Sequence, residues 1–86
     1  MHAANLKNAE MLAEVIDQLK IDGIEGRPFI AWTGRLAGAI GVECAADVVY
    51  DVQKSLMTVL KRHNAYTVFY NADDDHCVCP IIEYRI

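Results

Sequence analysis

The chain has 86 residues, a formal net charge of −4, a pI near 5.1 and 53% hydrophobic residues. That length makes one domain, and that hydrophobic share excludes a disordered polymer. The acidic balance excludes the broad Lys/Arg footprint behind non-specific nucleic-acid affinity, though it leaves room for a local basic face.

The longest apolar approach, Phe29 to Val42, is cut by Thr33 and Arg35. It therefore falls short of the roughly 20 apolar residues that a membrane span requires. The start, MHAANLKNAEML, has no basic region followed by an apolar run, so no signal peptide is visible. Three cysteines are an odd count for a disulfide scaffold, and the expected compartment is a reducing cytosol. The sequence shows neither an internal repeat nor a low-complexity tract.

In chain order, the first helix is expected from Asn5 to Ile21. Leu6, Ala9, Leu12, Ala13, Ile16 and Leu19 form its inner stripe, widened by Met11 and Val15. That breadth suits core packing or a dimer contact. Asn5 is the expected N-cap, and Gly23 the left-handed residue past the end, followed by apolar Ile24. DGIEGRP, residues 22–28, is a connector.

Phe29 to Val42 has two readings. In the preferred one, FIAW is a short buried strand, Thr33 an N-cap and GRLAGAIG a short helix. In the other, one helix begins with Pro28 at its first position. Gly34, Gly38 and Gly41 would each cost about 1 kcal/mol in a helix interior relative to Ala. A helix here would need close backbone packing, which the small residues Gly34, Ala37, Gly38 and Gly41 would permit.

Cys44 to Asn64 has the longest unbroken period. Ala45, Val48, Val49, Val52, Leu56, Val59 and Leu60 recur at steps of three and four, the spacing of one helix face. Asp47 and Asp51 sit early, with Lys61, Arg62 and His63 in the last turn, an order that suits the helix dipole. A buried central helix is expected. Tyr50 and Met57 fall on a flank beside Gln53 and Lys54. They either meet neighbouring elements or anchor a partner, as aromatic and Met residues do at interfaces.

Ala65 to Ile86 reads as an antiparallel hairpin with Asp74 at the turn centre. Position 66 then faces 82, 68 faces 80 and 70 faces 78. One face collects Tyr66, Val68, Tyr70, Val78, Pro80, Ile82, Tyr84 and Ile86, almost all apolar.

His76, Cys77 and Cys79 raise a metal reading. Structural zinc uses four ligands, commonly in C-x₂₋₄-C pairs, and C-x-C is too short for that. The bland reading is two small strand residues that pack as compact hydrophobes. Asp73, Asp74 and Asp75 lack the spaced ligands of a calcium loop and read as a solvated turn. A cysteine nucleophile needs a base within reach, and only His63 and His76 offer one. GRLAG and GAIG match neither phosphate-binding glycine motif. No catalytic residue and no cofactor are expected.

From Thr33 onward, the L-A-x-x-I-G-V pattern of Leu36, Ala37, Ile40, Gly41 and Val42 resembles the first helix and turn of a helix-turn-helix. The central helix takes the recognition position. With a helix and a short strand before it and a hairpin after, the order resembles a winged helix. That resemblance implies a dimeric DNA-binding regulator. Three departures oppose it: the first inward residue of the second helix is Val48 rather than Asp47, the hairpin tip carries three aspartates, and Glu43, Asp47 and Asp51 front the would-be recognition helix. Carboxylates there would face phosphates. Winged folds also serve as protein-interaction modules. In size and acidity the chain is similar to the orphan inhibitors that phages encode against host machinery, anti-CRISPR proteins among them.

The expectation is therefore a small α+β domain, with two to three helices followed by a C-terminal antiparallel β-hairpin in a winged-helix-like order. The leading function is a cytoplasmic, non-enzymatic protein-binding module: a regulator, or an inhibitor that occludes a larger target with a basic surface. Its expected contact residues are Glu43, Asp47, Tyr50, Asp51, Lys54, Met57, Asp73, Asp74 and Asp75. The alternatives are the DNA-binding regulator and a metal-stabilised domain using Cys77 and Cys79.

Overall fold

The structure is a computed structural model that describes the backbone of residues 3–63, 67–73 and 78–85, and the side chains of residues 6–63 and 79–85. Helix α1 spans Ala3–Asp22. Asn5 lies within it, so the helix begins before the expected cap. Its end follows the sequence: Gly23 has φ 68°, its N–H donates to the Lys20 carbonyl (3.2 Å), and the Ile24 N–H donates to the Leu19 carbonyl (2.9 Å). These two bonds form a Schellman cap, and Ile24 packs against the core beyond it.

The inner face of α1 is rotated from the expected stripe. Met11, Val15 and Leu19 are buried, together with Asn8 and Gln18, whereas Leu6, Ala9, Ala13 and Ile16 are exposed. Asn8 and Gln18 tolerate burial because both find hydrogen-bond partners.

Strand β1 (Arg27–Thr33) and strand β2 (Ala37–Glu43) form an antiparallel hairpin, its turn closed by the Gly34 N–H on the Ala37 carbonyl. The strand expected at FIAW is present. The short helix over GRLAGAIG is not, nor is the single longer helix. The glycines serve close approach within a sheet instead. A Cβ on Gly38 would clash with Asn8 Oδ1, and one on Gly41 would stand 2.6 Å from Phe29 Cζ. The residues carrying the L-A-x-x-I-G-V pattern are thus turn and strand, and β2 rather than a helix precedes the central helix. β1 is an edge strand, with Pro28 near its start and a register shift between Ile30 and Trp32.

After a short 3-10 turn at Ala46–Val48, helix α2 spans Val49–His63. It starts later than expected, and Asn64 lies outside the described residues. Its buried face is Val52, Leu56, Val59 and Leu60, as the periodicity predicts, with Ser55 added. Ala45, counted in that face from the sequence, is exposed.

Strands β3 (Thr67–Asp73) and β4 (Val78–Arg85) form the C-terminal hairpin. Its register is shifted from expectation: Phe69 pairs with Ile82, Asn71 with Pro80 and Tyr70 with Ile81. Tyr66, Asp74 and Ile86 lie outside the described residues. Of the inward set expected on β4, Pro80, Ile82 and Tyr84 are buried, but Ile81, expected on the other face, is buried as well. On β3 the odd shift moves Val68 and Tyr70 to the register rows of Glu83 and Ile81, off the face expected for them.

The four strands make one antiparallel sheet in the order β1-β2-β4-β3. Exchanging the two α-β-β halves reproduces that order, a structural repeat with no matching repeat in the sequence. Met11, Val15 and Leu19 on α1 have the same spacing as Val52, Leu56 and Leu60 on α2. All six join Ile40, Val42, Ile82 and Tyr84 in one core cluster. Both helices therefore cover the same sheet face. No helix among the described residues is long and apolar enough to cross a membrane.

Asn8 fixes how closely α1 sits on the sheet. Its Oδ1 accepts from the Tyr84 hydroxyl, and its Nδ2 donates to Thr33 Oγ1 at 3.1 Å. The amide is held from both sides and cannot give way to a methyl group on Gly38. Gly38→Ala is expected to destabilise the fold by about 1–3 kcal/mol through overpacking. Urea unfolding measures this, and an unchanged midpoint would show that Asn8 is not clamped.

Candidate functional site

Four chain ends meet at one end of the molecule: the close of α1, the start of β1, the close of β2 and the 3-10 turn leading into α2. The register places Arg27 opposite Glu43 there. Five exposed carboxylates converge on this end, Asp22, Glu25, Glu43, Asp47 and Asp51. They line two adjoining clefts. Asp22, Glu25 and Asp51 line the first with Lys54, while Glu25, Glu43 and Asp47 line the second with Arg27 and Cys44. Glu25 and Val48 belong to both.

Of the residues expected from the sequence, Glu43, Asp47 and Asp51 are thus brought together. Asp73 ends β3 opposite Val78, at the same end of the sheet, since Gly41 pairs with Ile81 further along β4. Asp74 and Asp75 lie outside the described residues. Sequence reasoning missed Asp22 and Glu25, which read as a helix end and a connector. The available signal was the density of acids around DGIEG.

Tyr50 and Met57 lie apart from this group, on the outer face of α2, where they are 80% and 42% exposed. Neither belongs to the core cluster or to the partly buried residues packed on it. A shallow groove there is lined by Tyr50, Gln53, Lys54, Met57, Thr58 and Lys61. Lys54 borders both this groove and the first acidic cleft.

Asp22 is the carboxylate with the most defined setting. Ser55 Oγ donates to its Oδ2 at 2.5 Å and Gln18 Nε2 donates to the same oxygen at 3.0 Å. These bonds, Ser55 first, lower its pKa from the ordinary 3.8 against some desolvation, and the Arg62 charge adds to the effect. Arg62 Nη2 in turn donates to Gln18 Oε1. Further along the helix pair, Lys7 Nζ contacts His63 Nδ1 at 3.0 Å, and His63 Nε2 contacts Glu14 Oε2. An ammonium only donates, so Nδ1 accepts and Nε2–H is the donor to Glu14. This polar seam joins α1 to α2 and holds the acidic end in place.

Burial, and after it Asp47, raises the pKa of the Cys44 thiol. That direction opposes thiolate formation. Cys44 and Cys79 form no disulfide. Among the described residues no three His, Cys, Asp or Glu side chains group to hold a metal ion. His76 and Cys77, on which the metal reading leans, lie outside the described residues.

The lowered pKa of Asp22 has a definite pH signature. A depressed carboxylate stabilises the fold above its unfolded pKa, and that contribution is lost as pH falls through the folded value. Asp22→Asn is expected to be less stable than wild type at neutral pH. The difference should shrink once the pH drops below about 4. Paired urea titrations at several pH values measure it; a difference independent of pH would remove Asp22 from the seam.

The chain matches no protein-family model, no curated protein and no solved structure.

Proposed function

We propose that this protein is a small non-enzymatic binding module whose acidic end docks on the basic surface of a larger protein. The observation that carries the reading is the convergence of Asp22, Glu25, Glu43, Asp47 and Asp51 on one end of the fold, with Arg27 and Lys54 as the cations lining the same clefts. The chain brings these acids together from two stretches, residues 22–25 and 43–51. Like charges so gathered repel one another, and a cationic partner relieves that repulsion.

A basic nucleic-acid-binding groove on the target has the complementary chemistry. Occupying it makes the module an inhibitor or regulator by occlusion. Charge-led docking of this kind sets association rate and specificity, and it weakens as salt screens the charges.

The test is affinity capture from the native host with wild type and with an Asp47→Lys/Asp51→Lys variant. Wild type is expected to retain a protein with a basic surface, and to release it as salt rises. With that partner purified, the double reversal should weaken binding about tenfold or more, a loss of about 1.4 kcal/mol or more. Its circular dichroism should match wild type, because both side chains are exposed. Equal binding by the two forms, or binding indifferent to salt, would sink the acid-led reading.

A further inference from the structure

An antiparallel sheet with one wet face alternates apolar and polar residues along each strand, whereas strands covered on both faces read as continuous apolar runs. Here the runs PFIAW in β1, AGAIGV in β2 and VCPII in β4 carry no charge, and the charged residues Arg27, Glu43, Glu83 and Arg85 flank them. These runs read as covered twice, yet α1 and α2 both lie on the face that carries Ile40, Val42, Ile82 and Tyr84. No described element covers the other face.

That second face is built around small residues. The Phe29 ring lies across Gly41, its cross-strand partner, and Trp32 pairs with Ala39. Ile81 stands on the far side of Gly41. On β3, Val68 and Tyr70 hold the register positions beside Glu83 and Ile81. Gly41 and Ala39 are already covered, while Phe29 and Trp32 each remain 37% exposed. We propose that this open face meets the same face of a second copy, giving a two-fold, face-to-face dimer.

Charge is the observation that selects a second copy as the occupant. By strand alternation the face carries Arg27, Glu43, Glu83 and Arg85, two residues of each sign, on a chain of net charge −4. It is a neutral surface on an acidic molecule, so identical copies meet there without net repulsion. An isologous contact needs such self-complementarity. Four strands about 4.8 Å apart, with seven residues rising about 3.3 Å each, make a face of about 19 by 23 Å. Two such faces bury about 900 Å², just short of the roughly 1,000 Å² that a stable specific interface clears. The dimer is therefore weak and concentration-dependent.

Trp32 is the only tryptophan in the chain and lies in the proposed contact, so its emission reports the association directly. Sedimentation equilibrium of the full chain, from low micromolar to sub-millimolar concentration, should show a monomer–dimer equilibrium. Trp32 emission should move to shorter wavelength along the same curve. Added salt should leave the association unchanged or strengthen it, unlike the acid-led docking above. Trp32→Lys should be monomeric throughout with unchanged circular dichroism. Should that variant fail to fold, Glu83→Lys gives the face a surplus of positive charge and should weaken the dimer about tenfold. A monomer at every concentration with fixed Trp32 emission overturns the proposal, whether or not that monomer binds an apolar peptide. So does a dimer that forms equally well with either substitution.

Discussion

The amide of Asn8 is the contact on which the arrangement of layers depends. It is almost completely buried, and it joins α1 to Thr33 on β1 and to Tyr84 on β4, while Gly38 on β2 leaves it room. One side chain thereby fixes the helix against three strands. A hydrophobic residue in its place would favour burial without specifying depth or rotation, because apolar contact is non-directional. The Tyr84 hydroxyl, whose pKa is raised by burial, stays protonated and remains a donor to Asn8. The polar groups are satisfied as a set, which is the condition under which a buried network specifies a fold.

The second organising feature is the doubled α-β-β order. Equivalent positions on the two helices carry the core residues at matching steps, and the two central strands, β2 and β4, run antiparallel beside each other. The helices then lie antiparallel on one face, with Asp22 near Ser55 at one end and Lys7 near His63 toward the other. The polar seam between them is absent from any single helical wheel, because each half of it sits on a different segment. The doubling also accounts for the acidic end, where chain reversals from both halves gather.

Much of this was legible in the sequence, and the failures have physical causes. The end of α1 could be read because a left-handed turn favours glycine so strongly at Gly23. The inner face of α2 could be read because its apolar residues follow one period. The strand β2 could not, since its glycines and alanines carry little β-propensity and resemble helix punctuation or a helix contact face. Gly38 and Gly41 are small because Asn8 and Phe29 approach them, a reason visible only in three dimensions. The α1 stripe was rotated for a related reason: Asn8 and Gln18 are polar by letter and buried by partnership. The C-terminal register differs by three residues because a turn centred on Asp74 pairs 70 with 78, whereas the observed pairing of Asp73 with Val78 centres it between positions 75 and 76. At the candidate site, Glu43, Asp47 and Asp51 were legible as exposed acids near a helix start. Asp22 and Glu25 were not, because their proximity to that start depends on how the hairpin folds back.

The margin of the sheet at β1 has a consequence for how copies of this molecule accumulate. Pro28 lacks an amide hydrogen, and the offset between Ile30 and Trp32 breaks the even spacing that an incoming strand would need. Both features work against a neighbouring polypeptide zipping along this border and against sheets of successive molecules joining there into a ribbon. A chain with such apolar strands would otherwise be at risk of growing into fibres; at this border the irregularity opposes lateral growth beyond four strands.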